Sequence, residues 1–210
     1  MPVPQPTILG MNPGLIFWDV DTQADFMLPD GRLYVPGAET IIPILARLTN
    51  WAAQQQVLVI ASTDAHQPND EEFSLYPPHC LAGTLGQRKI PETTLTPQFT
   101  IPNHRQARLP EAGQYRQVVI EKQQFDVFTN ANTEAFLARL GKPEIVLYGV
   151  VTEICVAAAT RGLLDRGYRV TVVEDAIRNL DAKKGRAFLD EVRQRGSRVI
   201  TADDWLLAAA

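Results

Sequence analysis

Apolar positions in this chain fall into short, unbroken runs rather than alternating ones. Six of them, "GLIFWDV" (14–20), "VLVIAS" (57–62), "QVVIEK" (117–122), "EIVLYG" (144–149), "YRVTVVE" (168–174) and "SRVIT" (197–201), are mostly rich in β-branched residues. Continuous runs of this length suit strands covered on both faces. Elsewhere the period changes: from Glu39 to Gln55, Ile41, Leu45, Leu48 and Ala52 recur at helical spacing, with Pro43 tolerated in the first turn.

The second half repeats one order, helix, glycine, strand. "NTEAFLARLG" precedes "KPEIVLYG", "CVAAATRGLLDRG" precedes "YRVTVVE", and "KKGRAFLDEVRQRG" precedes "SRVIT". Gly141, Gly167 and Gly196 stand where a helix would end in the left-handed conformation. Strands alternating with helices through short connections predict parallel strands and right-handed crossovers. The expected fold is α/β: a doubly wound, mainly parallel six-stranded sheet with helices on both faces, three layers in one domain spanning residues 1–210. Residues 63–116 break the pattern, being proline-rich, weakly periodic and too long for an ordinary connection. Ligands bind beyond the carboxyl ends of strands in such sheets, so this loop, leaving after Ser62, is expected to wall a pocket.

Composition removes several function classes. The 20 Lys and Arg are scattered among 24 Asp and Glu, for a net charge of -4. Nucleic acid is therefore not an expected partner, since phosphate binding needs concentrated basic residues. No run approaches the roughly 20 apolar residues that cross a bilayer. The opening "MPVPQPTILGMNPG" lacks the basic and apolar regions of a signal peptide. The two cysteines, Cys80 and Cys155, are flanked unlike a metal motif and build no disulfide framework. A soluble cytoplasmic protein with no membrane partner is expected. No nucleotide cofactor is expected either, because no strand is followed by GxGxxG or GxxxxGK[ST], and "GTLG" (83–86) opens no helix.

Three strand ends carry polar residues that a buried sheet does not otherwise want. "DVDTQADF" supplies Asp19, Asp21 and Asp25, the third run ends at Lys122, and the fourth leads through "GVVTE" to Cys155. If these ends converge, a cation and a helix start favour the thiolate and a carboxylate can accept its proton. Backbone N–H groups at the same helix start can hold an oxyanion. Each residue also has a plainer use: a cap, a solvated lysine, a packed cysteine. Within the loop, Asp64, His66, Glu72 and His79 offer nitrogen and oxygen ligands suited to Zn²⁺ or another first-row divalent ion, with turn chemistry as the alternative. Cys80 reads as packing.

In that order and spacing, "DTQADF", the lysine of "VIEKQQFDVF" and "GVVTEICV" resemble the isochorismatase-like cysteine hydrolases, and among them the nicotinamidases, from about Leu15 to the C-terminal strand. The resemblance implies Asp21 as general base, Lys122 as its partner and Cys155 as nucleophile. It implies a cis peptide at Val150–Val151, aiming the N–H of Val151 with that of Cys155 at the substrate oxygen. It implies one divalent metal, zinc first with iron or manganese as alternatives, on Asp64, His66 and His79 with Glu72 as a fourth ligand. Phe26 and Tyr76 would flank a substrate ring. Tyr76 stands where tryptophan is common, and Glu153 where aspartate is often found. The reaction implied is hydrolysis of a small amide through a thioester with release of ammonia, nicotinamide to nicotinate first. A carbamoyl compound, another small amide, or a catalytically silent binding protein on the same fold are the alternatives. The apolar tail "DWLLAAA" and the resemblance together suggest a homo-oligomer.

Overall fold

In the computed structural model, residues 12–111 and 113–209 are described. Most of the opening segment read above for a signal peptide lies outside them.

The first apolar run becomes a strand because both of its faces are covered. In β1 (Leu15–Val20), Ile16, Trp18 and Val20 enter one core while Phe17 enters the other. The chain continues through α1 (Ala24–Met27), α2 (Ile42–Gln54), β2 (Leu58–Asp64), β3 (Gln98–Ile101), β4 (Gln117–Lys122), α3 (Thr133–Leu140) and β5 (Glu144–Val150). It ends with α4 (Ala157–Asp165), β6 (Arg169–Arg178), α5 (Ala182–Gln194), β7 (Arg198–Ile200) and α6 (Ala202–Ala208). The sheet order is β3-β4-β2-β1-β5-β6-β7, and every neighbouring pair is parallel. One face is covered by α3, α4 and α5, whose Phe136, Leu163 and Phe188 join Trp18 and Leu147. The other is covered by α1, α2 and α6, whose Met27, Leu45 and Trp205 join Phe17 and Tyr148. Among the described residues, no helix is long and apolar enough to cross a membrane.

The three-layer α/β fold is as expected, with differences that have physical causes. The sheet has seven strands rather than six, and it is wholly parallel. The extra strand, β3, is a four-residue edge strand, "QFTI", with only Ile101 fully buried, so it lacks the continuous apolar run that marks the others. β6 runs on to Arg178 because an irregularity between Leu147 and Gly149 resets its register against β5. β2 extends to Asp64, and the loop beyond it is ordered partly by short 3-10 turns at Glu71–Ser74 and Pro91–Thr93. α2 is preceded by a 3-10 turn, Ala38–Ile41, so regular helix starts later than the periodicity suggests. The apolar tail forms α6, and its Trp205 packs inside the chain, 5.0 Å from Phe17 and 4.7 Å from Trp51 between ring centroids.

Strand order steps outward from β1 through β2, and from β5 through β6 in the opposite direction, so β1 and β5 flank the switch point where such sheets bind ligands. The two strands approach closely there because of Gly149. It sits at φ 120°, and an added Cβ would lie 2.0 Å from the Val20 carbonyl oxygen. Gly149→Ala is expected to cost at least about 2 kcal/mol through backbone strain and overpacking. Urea unfolding checks this; an unchanged midpoint would refute the close-approach role.

Candidate active site

Four strand ends meet at the switch-point crevice. Asp21 follows β1, Asp64 closes β2 and Lys122 closes β4. Cys155 follows β5 within one π-type turn, Thr152–Val156, that runs directly into α4. Parallel register makes Asp64 and Lys122 direct partners across β2 and β4. The Lys122 ammonium, 1% exposed, donates to Asp64 Oδ1 and lies 2.8 Å from Asp21 Oδ2 and 3.7 Å from Cys155 Sγ. Ser62 Oγ donates to Asp21 Oδ1 at 2.8 Å. Asp21 occupies the left-handed region at φ 51°, which aspartate tolerates better than most residues, and its N–H donates to the Ser62 carbonyl at 3.1 Å.

The acidic residues around Asp21 have separate partners. Asp19 pairs with Lys89 and accepts from Thr22 Oγ1 at 3.0 Å. Asp25 accepts the N–H of Cys80 at 2.7 Å and that of Arg32 at 3.1 Å, tethering the loop that carries His79. Gln23 clamps the Asp64 backbone: its Oε1 accepts the N–H at 2.6 Å, and its Nε2 donates to the carbonyl at 2.8 Å. Of the three aspartates in "DVDTQADF", Asp21 is the one beside the thiol. The cis peptide between Val150 and Val151 is present.

Burial raises the Asp21 carboxyl above its ordinary range despite the Lys122 charge. Burial acts on Asp64 in the same sense, but there the Lys122 charge and the contact with His66 prevail and hold it below that range. Burial would lower Lys122; Asp21, Asp64 and Cys155 together hold it well above the ordinary lysine value. Burial also pushes the Cys155 thiol well up, and although Lys122 opposes this, the two carboxylates add to the rise. The cation expected to favour the thiolate is in place, but burial opposes it: the side chain is 6% exposed and faces two carboxylates as well as one cation.

The loop histidines converge on the remaining oxygen of Asp64. His66 Nε2 and His79 Nε2 lie 3.7 and 3.9 Å from Asp64 Oδ2, and one ligand atom from each of the three residues falls within 4.8 Å of the others. Of the opposite ring nitrogens, His79 Nδ1 is hydrogen-bonded to the Pro77 carbonyl oxygen at 2.8 Å, and His66 Nδ1 lies 2.9 Å from Asp70 Oδ2 without a hydrogen bond of good geometry. Both Nε2 atoms are buried without a hydrogen-bond partner. Buried imidazole nitrogens beside a carboxylate, with oxygen atoms behind the rings, fit a divalent metal with open coordination positions. Glu72 lies beside this trio rather than within it, its Oε1 3.7 Å from His79 Nε2. Burial and the Asp64 charge raise its carboxyl to about 7.

Over this floor lies a pocket lined by Asp21, Asp64, Glu72, His79 and Cys155, with Phe26, Tyr76 and Val151 among its apolar walls. The remaining walls, Leu33, Val35, Phe125, Val150, Ile154 and Leu180, include several that sequence reasoning missed. Leu33, Val35 and Leu180 come from irregular segments with no periodic signal; Phe125 lies within "VIEKQQFDVF" but was not singled out. Among the described residues, no Lys or Arg lines the pocket.

Residues 14–204 match the isochorismatase domain, and the chain belongs to the isochorismatase family. It is 24% identical to a maleamate amidohydrolase of Pseudomonas putida over 93% of this chain and 85% of that one. It is 26% identical to a nicotinamidase of Escherichia coli over 89% of this chain and 94% of that one. Among solved structures, a pyrazinamidase of Pyrococcus horikoshii in complex with zinc superposes with a TM-score of 0.73 at 25% identity, covering 90% of this chain and 99% of the other.

Lys122→Met removes the one cation between two buried carboxylates, and should cost about 3–5 kcal/mol of stability, read from urea unfolding. A loss under about 1 kcal/mol would mean that Lys122 does not hold the carboxylates. For the histidine cluster, the wild type is expected to take up one Zn²⁺ per chain in calorimetry. His79→Ala should weaken this at least about 10- to 100-fold. Equal affinity in the variant would remove His79 from the ligand set.

Proposed function

We propose that this isochorismatase-family amidohydrolase cleaves a small amide through a thioester on Cys155, with nicotinamide as the leading substrate. The observation that carries the reading is the placing of Asp21, Lys122 and Cys155 at one side of an apolar slot, with two unpartnered imidazole nitrogens at the other.

In the proposed reaction the amide carbonyl carbon lies over Cys155 Sγ. As the C–S bond forms, the thiol proton passes to Asp21, which Lys122 and Ser62 hold in place. The developing oxyanion rests on the backbone N–H groups of Val151 and Cys155. Asp21 returns the proton to the nitrogen as the C–N bond breaks, and ammonia leaves. A water then attacks the thioester and gives a proton to Asp21, the C–S bond breaks, and the returned proton restores the thiol. Asp64, His66 and His79, with Glu72 adjacent, would hold a divalent metal, which when bound supplies a Lewis-acid anchor for a lone-pair atom of the substrate. Phe26 and Tyr76 would border a flat ring.

Ammonia release should be measured over a panel of small amides containing nicotinamide, pyrazinamide, maleamate and simple carbamoyl compounds. Turnover of nicotinamide and its abolition in a folded Cys155→Ala variant are expected. Retained turnover in that variant would exclude the thioester route, and preference for a carbamoyl compound would reassign the substrate. Because Asp21 must be ionised to accept the proton and burial raises it, kcat/KM should fall on the acid side through a midpoint above the 3.8 of an unperturbed aspartate.

A further inference from the structure

We infer that Leu180 limits the bulk of the molecule that can reach Cys155, and that Glu153 is the positioning residue that holds Leu180 there. This rests on the reading above of the pocket as the place where an acyl compound meets the thiol, and it adds a size filter that the reading does not itself require.

Glu153 stands two residues before Cys155 in the same turn. Its Oε1 accepts the backbone N–H of Leu180 at 3.0 Å and that of Asp181 at 2.6 Å. Asp181 in turn caps α5, its Oδ1 accepting the N–H groups of Lys183 at 2.8 Å and Lys184 at 3.1 Å. A continuous set of charge-assisted hydrogen bonds thus ties the nucleophile's turn to the segment after β6 and to the start of α5. Leu180 lies in the middle of that tie. It lines the pocket yet remains 49% exposed, so little of its side chain is committed to the core. A leucine in this position adds little to folding, and it lines the same pocket as the thiol. Phe125, 37% exposed, also lines the pocket, so its walls include apolar side chains that solvent reaches.

An apolar wall discriminates by volume, and removing a few methylene equivalents changes the acceptance of a bulky ligand by roughly 10- to 200-fold. The test uses thiol alkylation, so that it does not depend on the substrate. The rate of modification of Cys155, followed by peptide mass, is compared for N-phenylmaleimide and for iodoacetamide. Leu180→Ala should raise the bulky-to-small rate ratio at least about tenfold, and Leu180→Trp should lower it. Glu153→Ala, which frees the 180–181 backbone, should raise the ratio in the same sense, with little further gain when combined with Leu180→Ala. Glu153→Gln keeps an acceptor oxygen and should return the ratio to the wild-type range. In turnover with a ring-substituted amide, Glu153→Ala should act on KM rather than kcat.

Ratios unmoved by both Leu180→Ala and Leu180→Trp would overturn the size filter. Equal slowing of both reagents in Glu153→Ala would overturn the positioning role, since it would place Glu153 on the thiol itself. Should Glu153→Ala unfold, Glu153→Gln with a shifted ratio would likewise overturn that role. A wild type that releases no ammonia from any amide would end the proposed function while leaving the alkylation ratios to decide this inference.

Discussion

One buried ammonium, that of Lys122, sets the terms for the rest of the site. A lysine removed from water loses several kcal/mol of hydration and would give up its proton unless compensated. Here two carboxylates compensate it, and both are delivered by the sheet rather than by flexible side chains. Parallel register sets Asp64 opposite Lys122, and β1, packed on the far side of β2, brings Asp21 to the same point. The close approach of β1 and β5 at Gly149 then places the cysteine turn against this group. The backbone geometry of four strand ends and the charge balance of three side chains are mutually dependent.

Two carboxylates sharing one cation need not behave alike. Asp64 has His66 as well as Lys122 and stays ionised readily; Asp21 has Ser62, burial and a neutral thiol as neighbours, and takes a proton more easily. Asp64 also has its two oxygens turned to different tasks, one to Lys122 and one to the histidines. The lysine and the candidate metal ligands are therefore not independent. Any change in the charge near His66 and His79 reaches Lys122, and through it Asp21, across a single carboxylate.

How much of this was legible in the sequence depended on how local the determining physics is. Strands buried on both faces announce themselves as apolar runs, so "QVVIEK" coincides with β4 residue for residue. β3 does not announce itself, because a four-residue edge strand with exposed positions is stabilised by pairing rather than by its own pattern. Gly167 and Gly196 take the expected left-handed φ of 74° and 76°, while Gly141 shares the positive φ but has a ψ of -133° outside that region. Among the candidate site residues, those of "DTQADF" and "GVVTEICV" meet at one pocket, as their order along the chain led one to expect. The resemblance singled out Asp21 beforehand; what Asp19 and Asp25 do instead required coordinates, since their partners, Lys89 and Cys80, lie far away in the chain. Leu33, Val35 and Leu180 were illegible for the same reason: irregular segments become walls only once the sheet has placed them.

The protonation of the thiol ties the pocket's apolar walls to its chemistry. Burial, with two carboxylates adding to it, outweighs the one shared ammonium and keeps the thiol up in this slot. In the proposed reaction the proton leaves sulfur as the bond to carbon forms, so the acceptor has to be in contact and ionised when the substrate arrives. Asp21, held by Ser62 and Lys122, satisfies the contact condition without rearrangement. The serine and lysine that fix the carboxyl are themselves carried by β2 and β4, so the sheet sets this arrangement before any ligand enters the pocket.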